Sequence, residues 1–75
     1  MNDEQLVDAR GLLCPLPVLK LRKKLQSVPS GTLLQLLATD PAAVVDVPHF
    51  CMESGHELVK INDDGTATTY SVRKA

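Results

Sequence analysis

Tryptophan is absent from this chain, and its aromatic content is one phenylalanine, Phe50, and one tyrosine, Tyr70. A surface that stacks single-stranded nucleic acid needs several exposed rings, so that function class is disfavoured, and leucine, valine and alanine must carry most of the core. An excess of one charge is also missing. Eight Lys and Arg against nine Asp and Glu leave a net charge of −1, too little for a field that draws the protein to nucleic acid or an anionic membrane. No apolar run approaches the roughly 18 residues of a membrane span. The opening Met1-Asn2-Asp3-Glu4 has neither the basic nor the apolar region of a secretory leader. The expected setting is cytoplasmic, with no membrane and no direct nucleic-acid partner. Cysteine is scarce: Cys14 and Cys51 make no disulfide framework, and in a reducing compartment both are expected as free thiols. At 75 residues the chain reads as one domain over 1–75. Such a chain buries only about 60 to 65 per cent of its unfolded surface, enough for one thin core but no deep cleft. Any active group must sit near the surface.

Periodicity supplies the architecture. A short run at residues 6–9 stops at Arg10-Gly11 and reads as a strand leading into a turn. From Cys14 onward Val18, Leu21, Leu25 and Val28 recur at steps of three, four and three, with Pro15 in a first turn where its missing N–H costs nothing. This predicts a helix ending near Pro29-Ser30-Gly31. The leucine-rich stretch at 32–39 suits a central strand. Asp40-Pro41 repeats the helix-start signal, an N-cap residue and then proline. Pro48 predicts a kink, or two short helices, before Gly55 ends the segment. Alternation at 57–62 and 67–73 around Asn62-Asp63-Asp64-Gly65 predicts a closing hairpin, with Asp63 and Asp64 as turn residues. The order is βαβαββ. Right-handed crossovers put both helices on one face of a four-stranded mixed sheet, a two-layer α/β sandwich. With Leu34, Leu36 and Ala38 facing the helices, Leu33, Gln35 and Leu37 face outward, to be met by a partner or covered by loops.

Cys14-Pro15-Leu16-Pro17 is where chemistry concentrates. The sequence places a thiol at a helix N-terminus, where unpaired N–H groups favour thiolate over thiol. The alternative is a small buried hydrophobe. Pro15 and Pro17 stiffen the first turn, and Cys14 falls roughly in line with Val18, Leu21 and Leu25, half sheltered at the end of the core-facing stripe. Neither His49 nor His56 is near Cys14 in sequence, so the base that hydrolytic nucleophiles require is not in evidence. Chemistry on sulfur itself, as in thiol exchange, needs no pocket and no base. Leu16 and Leu19 project away from the stripe, and Lys20, Lys23 and Lys24 spread over the outer side with Arg10 nearby. They form either a docking surface for an acidic partner or an ordinary solvated face.

At these residues the sequence resembles the TusA/SirA-type sulfur-carrier family, whose hallmark is a Cys-Pro-x-Pro motif after a short first strand. Val7-Asp8-Ala9-Arg10-Gly11-Leu12-Leu13-Cys14-Pro15-Leu16-Pro17 is similar to the family's opening segment. Asp40-Pro41-Ala42, Phe50-Cys51 and Gly55-His56-Glu57-Leu58 are similar to its second helix and third strand. The resemblance implies the same two-layer βαβαββ sandwich. It also implies sulfur carried as a covalent persulfide on Cys14 without any other cofactor, with Asp8, Gly11, Pro15 and Pro17 supporting the motif. The donor would be a cysteine desulfurase or a rhodanese-like protein, and the acceptor another protein, on a route to tRNA wobble-uridine thiolation or a different sulfur pathway. Such a protein is a sulfurtransferase in the sense of a relay, not an independently turning-over enzyme.

The same residues fit other readings. The same fold could serve as a regulatory or protein-interaction module with the cysteine incidental, or as a thiol redox protein pairing Cys14 with Cys51. Val44, Val47 and Cys51 share an apolar helix face, which favours a structural Cys51. His49, Cys51 and His56 lack the paired spacing of a zinc site, so no metal is expected. Asp8 either orders the loop before Cys14 or simply ends the strand.

Overall fold

A computed structural model describes residues 5–75; the leader reading at residues 1–4 lies outside the described residues. The elements run β1 (Gln5–Ala9), α1 (Leu16–Leu25), β2 (Leu33–Ala38), α2 (Ala43–Ser54), β3 (Glu57–Asp63) and β4 (Thr68–Arg73). They form one four-stranded mixed sheet in the order β1-β2-β4-β3. β1 lies parallel to β2, and β4 lies antiparallel to both β2 and β3. This is the expected βαβαββ sandwich, with β2 interior to the sheet.

Strand alternation sets the core. Leu34, Leu36 and Ala38 are buried, while Leu33, Gln35 and Leu37 between them are only half-buried. Across the sheet Val72 and Tyr70 of β4 sit opposite Leu34 and Leu36, and Val7 and Ala9 of β1 sit opposite Leu36 and Ala38. All of these are buried against the helices. From α2 the buried stripe is Ala43, Val47 and Cys51, a run at i, i+4 and i+8. Val44, assigned to that face from sequence, is instead 56% exposed, because one residue of offset turns it about 100° around the helix. From α1 the stripe is Pro17, Leu21 and Leu25. Pro17 therefore takes the inward place in the first turn, and Val18 is half-buried at its edge.

Two helix boundaries differ from expectation. α1 ends at Leu25, earlier than Pro29, because proline disfavours helical backbone at the residue before it. The chain leaves through the short turns Ser27 N–H to Lys24 C=O and Val28 N–H to Leu25 C=O, and Val28 stays buried. α2 starts at Ala43, not at Pro41. Asp40 closes the turn before it, accepting the Ala42 N–H on Oδ1 at 3.1 Å and the Ala43 N–H on its carbonyl at 3.0 Å. Pro48 does not split the segment into two short helices, since α2 is one helix from Ala43 to Ser54 with Pro48 inside it. The carbonyl that loses its partner is that of Val44, a residue on the exposed side of the first turn.

The predicted stop of α2 and the hairpin turn hold. Gly55 closes α2 with φ 82°, the left-handed conformation that glycine adopts without Cβ conflict, and donates its N–H to Cys51 C=O at 2.9 Å. In the β3–β4 turn Asp64 accepts from the Thr66 N–H, the Thr66 hydroxyl and the Ala67 N–H at 2.8–2.9 Å. These donors hold the Asp64 carboxyl down to about 2. A register shift between Leu58 and Lys60 puts a bulge in the β3 edge strand, a feature that discourages edge pairing. No described helix is long and apolar enough to cross a membrane.

Candidate functional site

The segment between β1 and α1 delivers Cys14 to the start of α2. Ala9 C=O accepts the Leu12 N–H, Leu13 C=O accepts the Leu16 N–H, and the Cys14–Pro15 peptide bond is cis. Gly11, at φ 80°, turns the chain and donates its N–H to Thr39 Oγ1 at 2.9 Å. The Cys14 backbone N–H donates to Asp40 Oδ2 at 2.6 Å. One carboxylate thus ties together the turn before α2 and the loop that carries the thiol.

Cys14 is exposed, whereas Cys51 is buried at 2% exposure. The Cys14 sulfur borders an open groove of about 300 Å³ lined by Pro15, Val18, Asp46, His49, Phe50 and Glu53. Its Sγ donates to Asp46 Oδ2 at 2.7 Å. This hydrogen bond, followed by partial desolvation and then the charges of Asp46 and Asp40, pushes the Cys14 thiol above its ordinary pKa. The expectation of a thiolate favoured by the helix terminus is therefore corrected. Two first-turn positions are proline and offer no N–H, and the Leu16 N–H is already taken by Leu13 C=O. Little remains of the positive terminus to offset an acceptor that bonds only the protonated sulfur. The half-sheltered position is corrected too, since the cysteine stands outside the core stripe.

A family model described as "Sulfurtransferase TusA" matches residues 5–74. The chain belongs to the TusA family. Relatives named "Sulfur carrier protein TusA" include the following. That of Pseudomonas syringae pv. tomato is 41% identical over 71 residues, covering 95% of this chain and 84% of the relative. That of Pseudomonas paraeruginosa is also 41% identical over 71 residues, covering 95% and 90%. That of Buchnera aphidicola subsp. Baizongia pistaciae is 36% identical over 72 residues, covering 96% and 91%. The crystal structure of a SirA-like protein from Desulfitobacterium hafniense superposes with a TM-score of 0.81 at 18% identity, covering 92% of this chain and 95% of that one. It shows the same fold.

The residues singled out around Cys14-Pro15-Leu16-Pro17 fall into separate places. Pro15 lines the Cys14 groove, while Pro17 is buried in the first turn of α1. Asp8 grips Arg10 through both oxygens, Nε to Oδ1 at 2.9 Å and Nη2 to Oδ2 at 3.0 Å. These bonds, together with the Arg10 N–H, hold the Asp8 carboxyl down to about 2. Lys20 donates to the Asp8 carbonyl, which occupies an acceptor on the β1 edge. Lys20, Lys23 and Lys24 line a second groove with Leu6, Val7, Asp8 and Ser27; it shares no lining residue with the Cys14 groove. Leu16 and Leu19 are 49% and 47% exposed. His49 reaches the Cys14 groove and pairs with Glu53 at 3.4 Å. His56 lies in another groove, with Arg22, Phe50 and Lys74, and its Nδ1 accepts the Ala75 N–H. Among the described residues no group of three or more His, Cys, Asp and Glu is placed to hold a metal ion. Cys51, five residues along α2 from Asp46, is turned about 140° away from the side that meets Cys14, and burial alone pushes its thiol pKa up.

Asp46 and Asp40 are the site residues that the sequence reading missed. Asp46 is the one acidic residue in the first turn of α2, and that isolation in an apolar stretch was the available signal. Its partner lies 32 positions away, a distance bridged only by helix packing.

Proposed function

We propose that this chain is a sulfur carrier that holds sulfane sulfur as a persulfide on Cys14 and passes it to an acceptor protein. The observation that carries this reading is the placement of Cys14, an exposed thiol on an open groove between two helices, in a chain of the TusA family. A thiol on an open rim suits direct exchange between two docked proteins. The donor would be a cysteine desulfurase or a rhodanese-like protein. The cargo's route is tRNA thiolation or another sulfur-transfer pathway, in the reducing cytoplasm where a free thiol persists. Partner docking falls to the exposed Leu16 and Leu19 beside the motif, with Arg10, Lys20 and Lys23 along the neighbouring β1 edge attracting acidic surfaces. Asp8, Gly11, Pro15 and Pro17 would hold the motif in place.

Loading by a cysteine desulfurase and cysteine tests both parts. The Cys51→Ser protein should load like the wild type, and the Cys14→Ser protein should not load. Charge reversal at Lys20 and Lys23 should slow loading at low salt, with the difference shrinking as salt screens it. Equal loading of Cys14→Ser would remove Cys14 from the reaction, and unchanged rates on charge reversal at every salt concentration would remove the lysines from docking.

A further inference from the structure

Charged or titratable side chains converge on the Cys14 groove from two elements. α2 contributes Asp46, His49 and Glu53 to its lining, the loop before α2 sets Asp40 on the Cys14 backbone N–H, and the α1 side contributes only Pro15 and Val18. Of these groups only Asp46 touches the sulfur. A carboxylate is acceptor-only, so it bonds the S–H form and repels the thiolate. His49 lines the same groove and pairs with Glu53 at 3.4 Å.

We propose that Asp46 is a positioning residue that holds unloaded Cys14 as a hydrogen-bonded thiol and so restrains its reaction until sulfur is presented. The inference rests on Cys14 being the sulfur-carrying residue. In that exchange the Cys14 proton is lost to water, and the thiolate attacks the terminal sulfur of the donor's persulfide. The donor's S–S bond breaks, its thiolate leaves, and a new S–S bond forms on Cys14 without net oxidation or reduction. The step that Asp46 opposes is the first one. Once loaded, Cys14 Sγ has no hydrogen left to donate, so the bond to Asp46 belongs to the unloaded state alone. The carboxylate thereby distinguishes empty carrier from full.

The test is alkylation by iodoacetamide as a function of pH, read at the Cys14 peptide by mass, for wild type, Asp46→Asn and Asp46→Ala. Asn keeps the shape and an acceptor but removes the charge; Ala removes both. Both variants should react about threefold or more faster at pH 7, with the midpoint of the profile moved to lower pH. The gain in thiolate fraction is partly offset by the lower nucleophilicity of a less basic thiolate. Glu57→Gln, which removes one exposed negative charge at the start of β3, should leave the profile in place. Burial of Cys51 supplies the folding control: a variant that labels there has opened its core, and the other variant then decides. Superposed profiles for wild type and the folded variants, or a shift to higher pH, would overturn the proposal. No sulfur donor is present, so the outcome is independent of the carrier reading, which fails only if Cys14 does not load.

Discussion

Replacing Asp40 should loosen the whole molecule as well as its thiol loop. The Asp40 carboxylate accepts the Cys14 N–H at 2.6 Å on one oxygen and the Ala42 N–H at 3.1 Å on the other. It therefore clamps the β1–α1 loop to the start of α2. Hydrogen bonds to a charged group contribute about 1.5–3 kcal/mol each when sheltered, less where water can replace the lost partner. With one of the two exposed and the other half-buried, Asp40→Ala should cost roughly 2 kcal/mol in total. For a domain of this size 1 kcal/mol moves Tm by about 4–8 °C, so the variant should melt about 8–16 °C lower. Asp40→Asn keeps one carbonyl oxygen but turns an NH2 group toward the second donor, and should fall between Ala and wild type. Thermal unfolding followed by circular dichroism reads all three. A melt of Asp40→Ala within about 2 °C of the wild type, or an Asn variant less stable than Ala, would refute the clamp.

Leu21→Ala removes a fully buried side chain between the α1 stripe and the sheet. It should cost about 2–5 kcal/mol by urea unfolding, a large share of the stability of a small domain; a loss under about 1 kcal/mol would place Leu21 outside the core. Asp8 and Asp64 have carboxyl pKa values lowered from 3.8 to about 2 in the folded chain. Their unfolded values are higher, so their contribution is complete above about pH 4 and is lost as pH falls through about 2. Urea midpoints should drop over that window, and the drop should shrink in Asp64→Asn; an unchanged slope in that variant would count against the turn network. A bulky thiol reagent should modify Cys14 and spare Cys51 in the native protein and modify both in denaturant. Equal native labelling would contradict the burial of Cys51.

Features carried by neighbouring residues were legible in the sequence. The alternation within Leu33 to Ala38, Gly55 at the end of α2 and Asp64-Gly65 at the hairpin were legible because each is decided within a few residues by periodicity, a positive φ or a side chain bonding its own backbone, whereas both faces of β2 carry leucine and helix packing selects Leu34, Leu36 and Ala38 for the core. Helix phase was harder. Val44 and Ala43 are both apolar, and only packing against Val47 and Cys51 selects Ala43 for the core. That Pro48 would not split α2 was not legible, because the cost of its missing N–H depends on how the surrounding fold exposes the orphaned carbonyl. The state of Cys14 was misread for the same reason. Helix position argued for a thiolate, but Asp46 arrives on α2 to bond the sulfur and Asp40, in the turn before α2, adds a second negative charge nearby, against a helix terminus that proline strips of N–H groups.

The central claim is that Cys14 carries the sulfur, and the direct measurement is the mass of its peptide after the protein meets a sulfane-sulfur donor under non-reducing conditions. One added sulfur, about 32 Da, should appear on the peptide containing Cys14, disappear with dithiothreitol, and be absent from the peptide containing Cys51. Addition at Cys51 alone, or no addition at Cys14 with cysteine desulfurases and rhodanese-like donors alike, would contradict it.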